Sequence, residues 1–217
     1  MGTGRSHVFQ PPVNPAKPDL RFNQCLLNIY LEERRKHVLK IDIALKSIVD
    51  LTPDILKENG IKGLLLDLDN TLTTHDNPRP ADGVPEWISS MKQNGIKMMI
   101  VSNNHFDRVK PFAEKLGLEF VCEGKKPLPD GFNRAQKLMD LPSENLAVVG
   151  DQIYTDVLGA ALKPRVKCVY VFPIEFEKKG FLAFKRKIEG PFLPKKLYDG
   201  KSSANLTYKS RIRRKIT

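Results

Sequence analysis

The chain of 217 residues carries 36 Lys and Arg against 25 Asp and Glu, a net charge of +11, with 41% hydrophobic and 28% charged residues. That suits one globular domain with appendages and enough apolar mass for a real core. No apolar stretch approaches the roughly 20 residues of a membrane span, and no apolar core follows the first basic residue as a secretory signal requires.

Residues 1 to about 20 carry Pro11, Pro12, Pro15 and Pro18 and read as an extended arm. Met1 to Ser6 meets the minimal myristoylation pattern, a match that chance or an added start sequence explains better. Phe22, Leu26, Ile29 and Tyr30 recur at helical spacing before a charged run, which predicts a short amphipathic helix packed on the domain. Ile41 to Leu51 reads as a weak helix or loop. Thr52 as N-cap and Pro53 at the first position open the next helix, and Gly60 stops it.

The chain is organised around the stretch Ile61 to Thr73. Leu64, Leu65 and Leu66 run straight into Asp67 and Asp69. An apolar run this short suits a strand buried on both faces, although periodicity alone also admits a helix. The two carboxylates then stand at the strand's carboxyl edge, where open α/β sheets bind ligands, and they crowd unless a cation or proton joins them. A plain acidic turn, with Asn70 and Thr71 as turn formers, is the competing reading.

Beyond a loop rich in Pro, Asn and Asp, the predicted order is helix Val84–Lys92, strand Lys97–Val101, helix Phe106–Leu116 closed by Gly117, and strand Glu119–Val121. Helix Pro129–Met139, strand Leu146–Val149, helix Tyr154–Leu162 and strand Val166–Phe172 come next. This alternation predicts an α/β fold of three layers, a Rossmann-like parallel sheet covered on both faces. The expected organisation is an arm and helix over residues 1–50, the sheet domain over 51–175 and a basic segment over 176–217. Cys25, Cys122 and Cys168 are odd in number and far apart, which points to free thiols in a reducing compartment.

Four strand ends carry complementary polar groups: Asp67 and Asp69; Ser102 and Asn103; Lys125 and Lys126; Gly150, Asp151, Thr155 and Asp156. On one edge these groups would make a magnesium and phosphate site. Mg²⁺ takes hard oxygen ligands and keeps water and substrate oxygens, and Asp67, Asp151 and a main-chain carbonyl near Asp69 would suffice. A carboxylate can attack phosphorus, and a lysine and hydroxyl would stabilise the equatorial oxygens.

Asp67-x-Asp69-x-Thr71, Ser102, a lysine before Pro127 and Gly150-Asp151-x-x-x-Thr155-Asp156 resemble, in order and spacing, the four motifs of the haloacid dehalogenase (HAD) phosphohydrolases. Ile61-Lys62-Gly63, Val101-Ser102-Asn103-Asn104, Thr155 to Gly159 and Lys185 to Glu189 resemble the YqeG-type phosphatases, relatives of phosphatidylglycerophosphate phosphatases. The resemblance implies a HAD fold and these roles: Asp67 nucleophile and metal ligand, Asp69 general acid and base with its carbonyl on the metal, and Ser102 on a phosphoryl oxygen. Asn103 is grouped with it as phosphate-binding. Lys126 neutralises the phosphoaspartate, with Lys125 as the alternative; Asp151 completes the Mg²⁺ site; Thr71 and Asp156 support it. His75 and His105 fall near the rim and read as bystanders. The gaps between motifs hold no cap domain, so a large phosphorylated substrate, a lipid or macromolecular phosphate, would help close the site.

Phe181, Leu182 and Phe184 beside Lys178, Lys179, Lys185, Arg186 and Lys187 could lie on an anionic membrane, or form a terminal helix packed on the sheet. A soluble phosphatase, and an accessory RNA- or ribosome-associated role supplied with charge by the basic tail, stand as alternatives; no RNA-binding signature with interleaved aromatics favours nucleic acid. The expected location is cytoplasmic, including the periphery of a membrane, or the matrix side of the inner mitochondrial membrane in a eukaryote.

Overall fold

The computed structural model describes residues 39–176, 180–198 and 204–205. Six parallel strands form its centre: β1 (Ile43–Leu45), β2 (Gly63–Leu66), β3 (Lys97–Val101), β4 (Glu119–Val121), β5 (Leu146–Gly150) and β6 (Lys167–Val171), in the spatial order β1-β6-β5-β2-β3-β4. Helices α1 (Pro53–Glu58), α2 (Val84–Gln93), α3 (Phe106–Leu116), α4 (Pro129–Met139) and α5 (Leu158–Leu162) lie between the strands in sequence, and α6 (Gly180–Glu189) follows β6. A short antiparallel pair, β7 (Lys196–Leu197) and β8 (Ala204–Asn205), comes last.

The uninterrupted apolar character of β2 has a direct cause. Leu64 and Leu66 point into one layer with Trp87, Ile88 and Phe112. Leu65 points into the other with Phe132, Ala135 and Val157. β3, β5 and β6 divide their side chains the same way, as strands buried on both faces must. Local signals set the helix ends. Thr52 accepts a hydrogen bond from the Ile55 N–H at 3.3 Å, and Gly117 closes α3 at a φ of 57°.

The expected helix or loop over Ile41–Leu51 is instead β1 followed by a 3-10 turn, Ile48–Asp50. β1 pairs in parallel with β6, and Asp42 cements the join: its N–H donates to Cys168 O at 3.0 Å, and its Oδ2 accepts from Cys168 N at 2.9 Å. The sheet therefore begins before residue 51, where the domain was expected to start. The helix predicted over Tyr154–Leu162 opens as a π turn, Ile153–Val157, before α5. The N-terminal arm, the helix expected over 22–36 and the bases over 209–215 lie outside the described residues.

The topology places the site. From β2 the chain builds outward through β3 and β4, then returns to β5 on the other side of β2. Strand order reverses between β2 and β5, and the crevice beyond their carboxyl ends is where such sheets bind ligands. Asp67 follows β2 directly and Asp151 follows β5 directly.

Candidate active site

Asp67 continues the β2 ladder, its N–H donating to Val149 O at 2.9 Å. Its carboxylate is nearly buried; Oδ1 accepts from Lys126 Nζ, and Oδ2 accepts from the Thr71 hydroxyl at 3.5 Å. Lys126 Nζ also donates to Asp156 Oδ1 at 2.7 Å. Of the two adjacent lysines, Lys126 is buried and Lys125 is exposed at a φ of 53°. Asp156 reaches this point because Gly150 has no side chain: a Cβ there would lie 2.3 Å from Asp156 Cγ.

Burial and charge compete across the cluster. Burial pushes the Asp67 carboxyl up to about 6; Lys126 opposes the shift, and Asp156 adds to it. Asp151 is pushed well above the usual carboxylate range by burial, with Arg186 opposing. Burial works against the charge on Lys126, but the Asp156 and Asp67 carboxylates outweigh it and raise its pKa.

Ser102 is buried at the end of β3, and its Oγ accepts from the Asn104 N–H at 3.1 Å. Asn103, expected among the phosphate-binding groups, uses its side chain otherwise. Its Oδ1 accepts from Lys126 N at 2.6 Å and its Nδ2 donates to Lys126 O at 3.1 Å, clamping the main chain of the lysine. The Asp69 carboxylate stands at the mouth, where Oδ1 accepts from Arg108 Nη2 at 2.9 Å and Oδ2 accepts from Asn104 Nδ2.

A family model for haloacid dehalogenase-like hydrolases matches residues 74–162. The chain is 41% identical over 148 residues to "Probable phosphatase YqeG" of Bacillus subtilis (strain 168), an overlap of 68% of this chain and 86% of that relative. It belongs to the haloacid dehalogenase-like hydrolases, among the YqeG-type phosphatases. Solved structures similar to it include the cobalt-bound deoxy-D-mannose-octulosonate 8-phosphate phosphatase of Haemophilus influenzae, at 17% identity and a TM-score of 0.41 over 53% of this chain and 70% of that one. Another is an uncharacterized protein of Listeria monocytogenes serotype 4b, at 15% identity and a TM-score of 0.45 over 55% and 85% of the two chains.

HAD hydrolases generally use a divalent metal, and the residues here fit one. Ligand atoms of Asp67, Asp151 and Asp156 lie within 4.8 Å of one another. Asp151 Oδ1 is buried without a hydrogen-bond partner, an unused acceptor of the kind a cation would take. Among the described residues, the buried carboxylates Asp67, Asp151, Asp156 and Glu189 are paired with two buried bases, Lys126 and Arg186, while the third buried base, Lys163, bonds Asn133 instead. The surplus of negative charge matches a hard divalent ion with oxygen ligands. Asp156, expected only to order the site, stands in this group, whereas the Asp69 carboxylate does not.

The HAD motifs do not include four groups that the fold adds. Asn104 and Arg108 hold Asp69. Arg186 of α6 is buried against Asp151, and Glu189 of the same helix is buried against Arg186. Their spacing of three residues was a readable signal for an ion pair on a helix. The run Lys185-Arg186-Lys187 is accordingly not one basic face. Arg186 points inward, Lys185 Nζ donates to Gln152 Oε1 at 2.5 Å, and Lys187 is exposed. The side chains of Lys178, Lys179, Phe181 and Leu182 lie outside the described residues.

Proposed function

We propose that this HAD hydrolase is a Mg²⁺-dependent phosphomonoesterase working through an aspartyl-phosphate on Asp67, and that its substrate is a lipid phosphate, phosphatidylglycerophosphate. The observation that carries the reaction class is the buried Asp67 carboxylate, held by Lys126 beside the carboxylates of Asp151 and Asp156 at the reversal of strand order.

Asp67 attacks phosphorus, the ester oxygen leaves with a proton from Asp69, and water then attacks phosphorus with Asp69 accepting its proton. Inorganic phosphate leaves and Asp67 is restored. The Lys126 ammonium and the Ser102 hydroxyl stabilise the charge that spreads over the equatorial oxygens. Arg108 and Asn104 keep Asp69 at the mouth, where the leaving group departs. Bound Mg²⁺ would be held by Asp67, Asp151, the main-chain carbonyl of Asp69 and the nearby Asp156, and would supply charge neutralisation and phosphate orientation.

Two observations support a lipid substrate. Only α3 and β4 separate Ser102 from the Lys126 loop, and no helix or strand lies between Asp69 and α2, so among the described residues no cap domain is inserted between the motifs. α6, whose Arg186 contacts Asp151, carries Phe184 at 59% and Ile188 at 44% exposure on its outer side, with Lys187 exposed beside them. An apolar and basic surface of this kind suits the boundary of an anionic bilayer. Among the described residues no helix is long and apolar enough to cross a membrane, so contact would be peripheral.

The test is a Mg²⁺-dependent phosphate-release assay that pairs phosphatidylglycerophosphate in vesicles with soluble phosphomonoesters. Preferential hydrolysis of the lipid supports the full proposal. Hydrolysis of soluble esters alone would remove the lipid and keep the phosphatase, and no hydrolysis of any ester would remove both.

A further inference from the structure

α6 follows the last strand of the central sheet, yet two of its side chains reach the floor of the site. Arg186 Nη2 donates to Asp151 Oδ2, and Nη1 donates both to the main-chain oxygen of Asp151 at 2.6 Å and to Glu189 Oε2 at 3.2 Å. Glu189 is fully buried, and its Oε1 accepts from the Tyr154 N–H at 3.3 Å. One planar guanidinium thus grips the carboxylate and the carbonyl of the same residue, which fixes the Asp151 side chain relative to its own backbone. A lysine ammonium has no such fork. The grip takes Oδ2 and leaves Oδ1, the buried oxygen without a hydrogen-bond partner.

Packing alone is a poor account of this pair. Two buried ions cost desolvation energy, and apolar residues of similar volume fill such space at least as stably. An arrangement that holds one carboxylate oxygen and leaves the other without a partner, on a residue grouped with two further carboxylates, is what the outer shell of a metal site does.

We propose that Arg186, braced by Glu189, is a positioning residue for cation binding: it orients Asp151 so that Oδ1 faces the carboxylates of Asp67 and Asp156. α6 thereby completes the site from beyond the sheet's last strand. The same helix carries the outer apolar surface, so the element that would meet a lipid boundary is bonded directly to the metal-side carboxylate. This inference rests on the divalent-cation reading of the site and not on the identity of the substrate.

The test uses the full chain stripped of metal, with Mn²⁺ as probe and free Mn²⁺ read by electron paramagnetic resonance. Arg186→Lys keeps the charge and loses the fork, and its Mn²⁺ dissociation constant rises about 10- to 100-fold. Glu189→Gln shifts it in the same direction by less. Arg186→Ala binds more weakly still, and added guanidinium restores part of its affinity, which a purely structural defect would not allow. Unfolding in EDTA checks that each variant is folded; if Arg186→Ala is not, Arg186→Lys and Glu189→Gln decide. Wild-type or tighter Mn²⁺ affinity in Arg186→Lys overturns the proposal and leaves the phosphatase reading standing. Absence of Mn²⁺ binding by the wild-type chain overturns this proposal and the metal reading together.

Discussion

Lys126→Met is the most discriminating perturbation of the buried cluster. Methionine fills nearly the same volume, so the core stays packed, but Asp67 and Asp156 lose their shared cation at Nζ. The lysine side chain is 3% exposed, so solvent cannot take its place. Removing one partner of a buried pair costs about 3–5 kcal/mol, because the remaining charges stay buried and uncompensated. For a domain of this size that is a fall in Tm of roughly 10 °C in EDTA. Excess Mg²⁺ should narrow the deficit by as much as the variant, with its uncompensated carboxylates, binds the ion more tightly than wild type does; a tenfold lower Kd narrows it by about 1.4 kcal/mol. Turnover should fall about 10²- to 10³-fold even in excess Mg²⁺, the usual cost of one lost donor to the transition state. Urea unfolding with and without Mg²⁺, paired with phosphate release, measures all three. A variant with wild-type stability in EDTA and unchanged turnover would show that Lys126 does not hold the site together. Lys125→Ala is the matched control and should lose little of either.

Asp67→Asn should abolish turnover, and it should also flatten the pH dependence of stability in EDTA. Because folding raises this carboxyl from 3.8 to about 6, its contribution is fully present below pH 3.8, is lost as pH rises through 6, and leaves a penalty of order 2–3 kcal/mol at pH 7. The metal-free Asn variant is therefore more stable than wild type at pH 7; urea midpoints at pH 5 and 7 that match wild type would count against the burial argument. Gly150→Ala places a Cβ 2.3 Å from Asp156 Cγ and should displace that carboxylate, with a loss of about 1–3 kcal/mol and weaker Mn²⁺ binding; unchanged Mn²⁺ affinity would exclude Asp156 from the cation site. Arg108→Ala should lower turnover about tenfold or more with little effect on Mn²⁺ affinity, because it frees Asp69 and leaves the buried carboxylates in place. Replacing Phe184 and Ile188 with Ser should reduce sedimentation with anionic vesicles while hydrolysis of a soluble ester persists; equal sedimentation would place the membrane contact elsewhere.

The core alternation of strands and helices was legible because it is written locally. Leu64 to Leu66, Met98 to Val101 and Leu146 to Val149 are short runs apolar on both faces, and caps such as Thr52 and Gly117 bound helices that precede and separate them. The residues after those runs, Asp67, Ser102 and Asp151, were legible for the same reason, since a strand end is defined by its own sequence. β1 was less so: three residues at a sheet edge carry too few side chains to separate a strand from a loop, and only pairing with β6 decides between them. The tertiary structure alone decided what each polar group touches. It turned the Asn103 side chain onto the Lys126 backbone, set Arg108 on Asp69, and drew Arg186 out of a basic run that read as surface. These contacts join residues 23, 39 and 35 positions apart. A local pattern states which residue is charged, but whether that charge meets solvent or a buried carboxylate depends on what the rest of the chain packs against it.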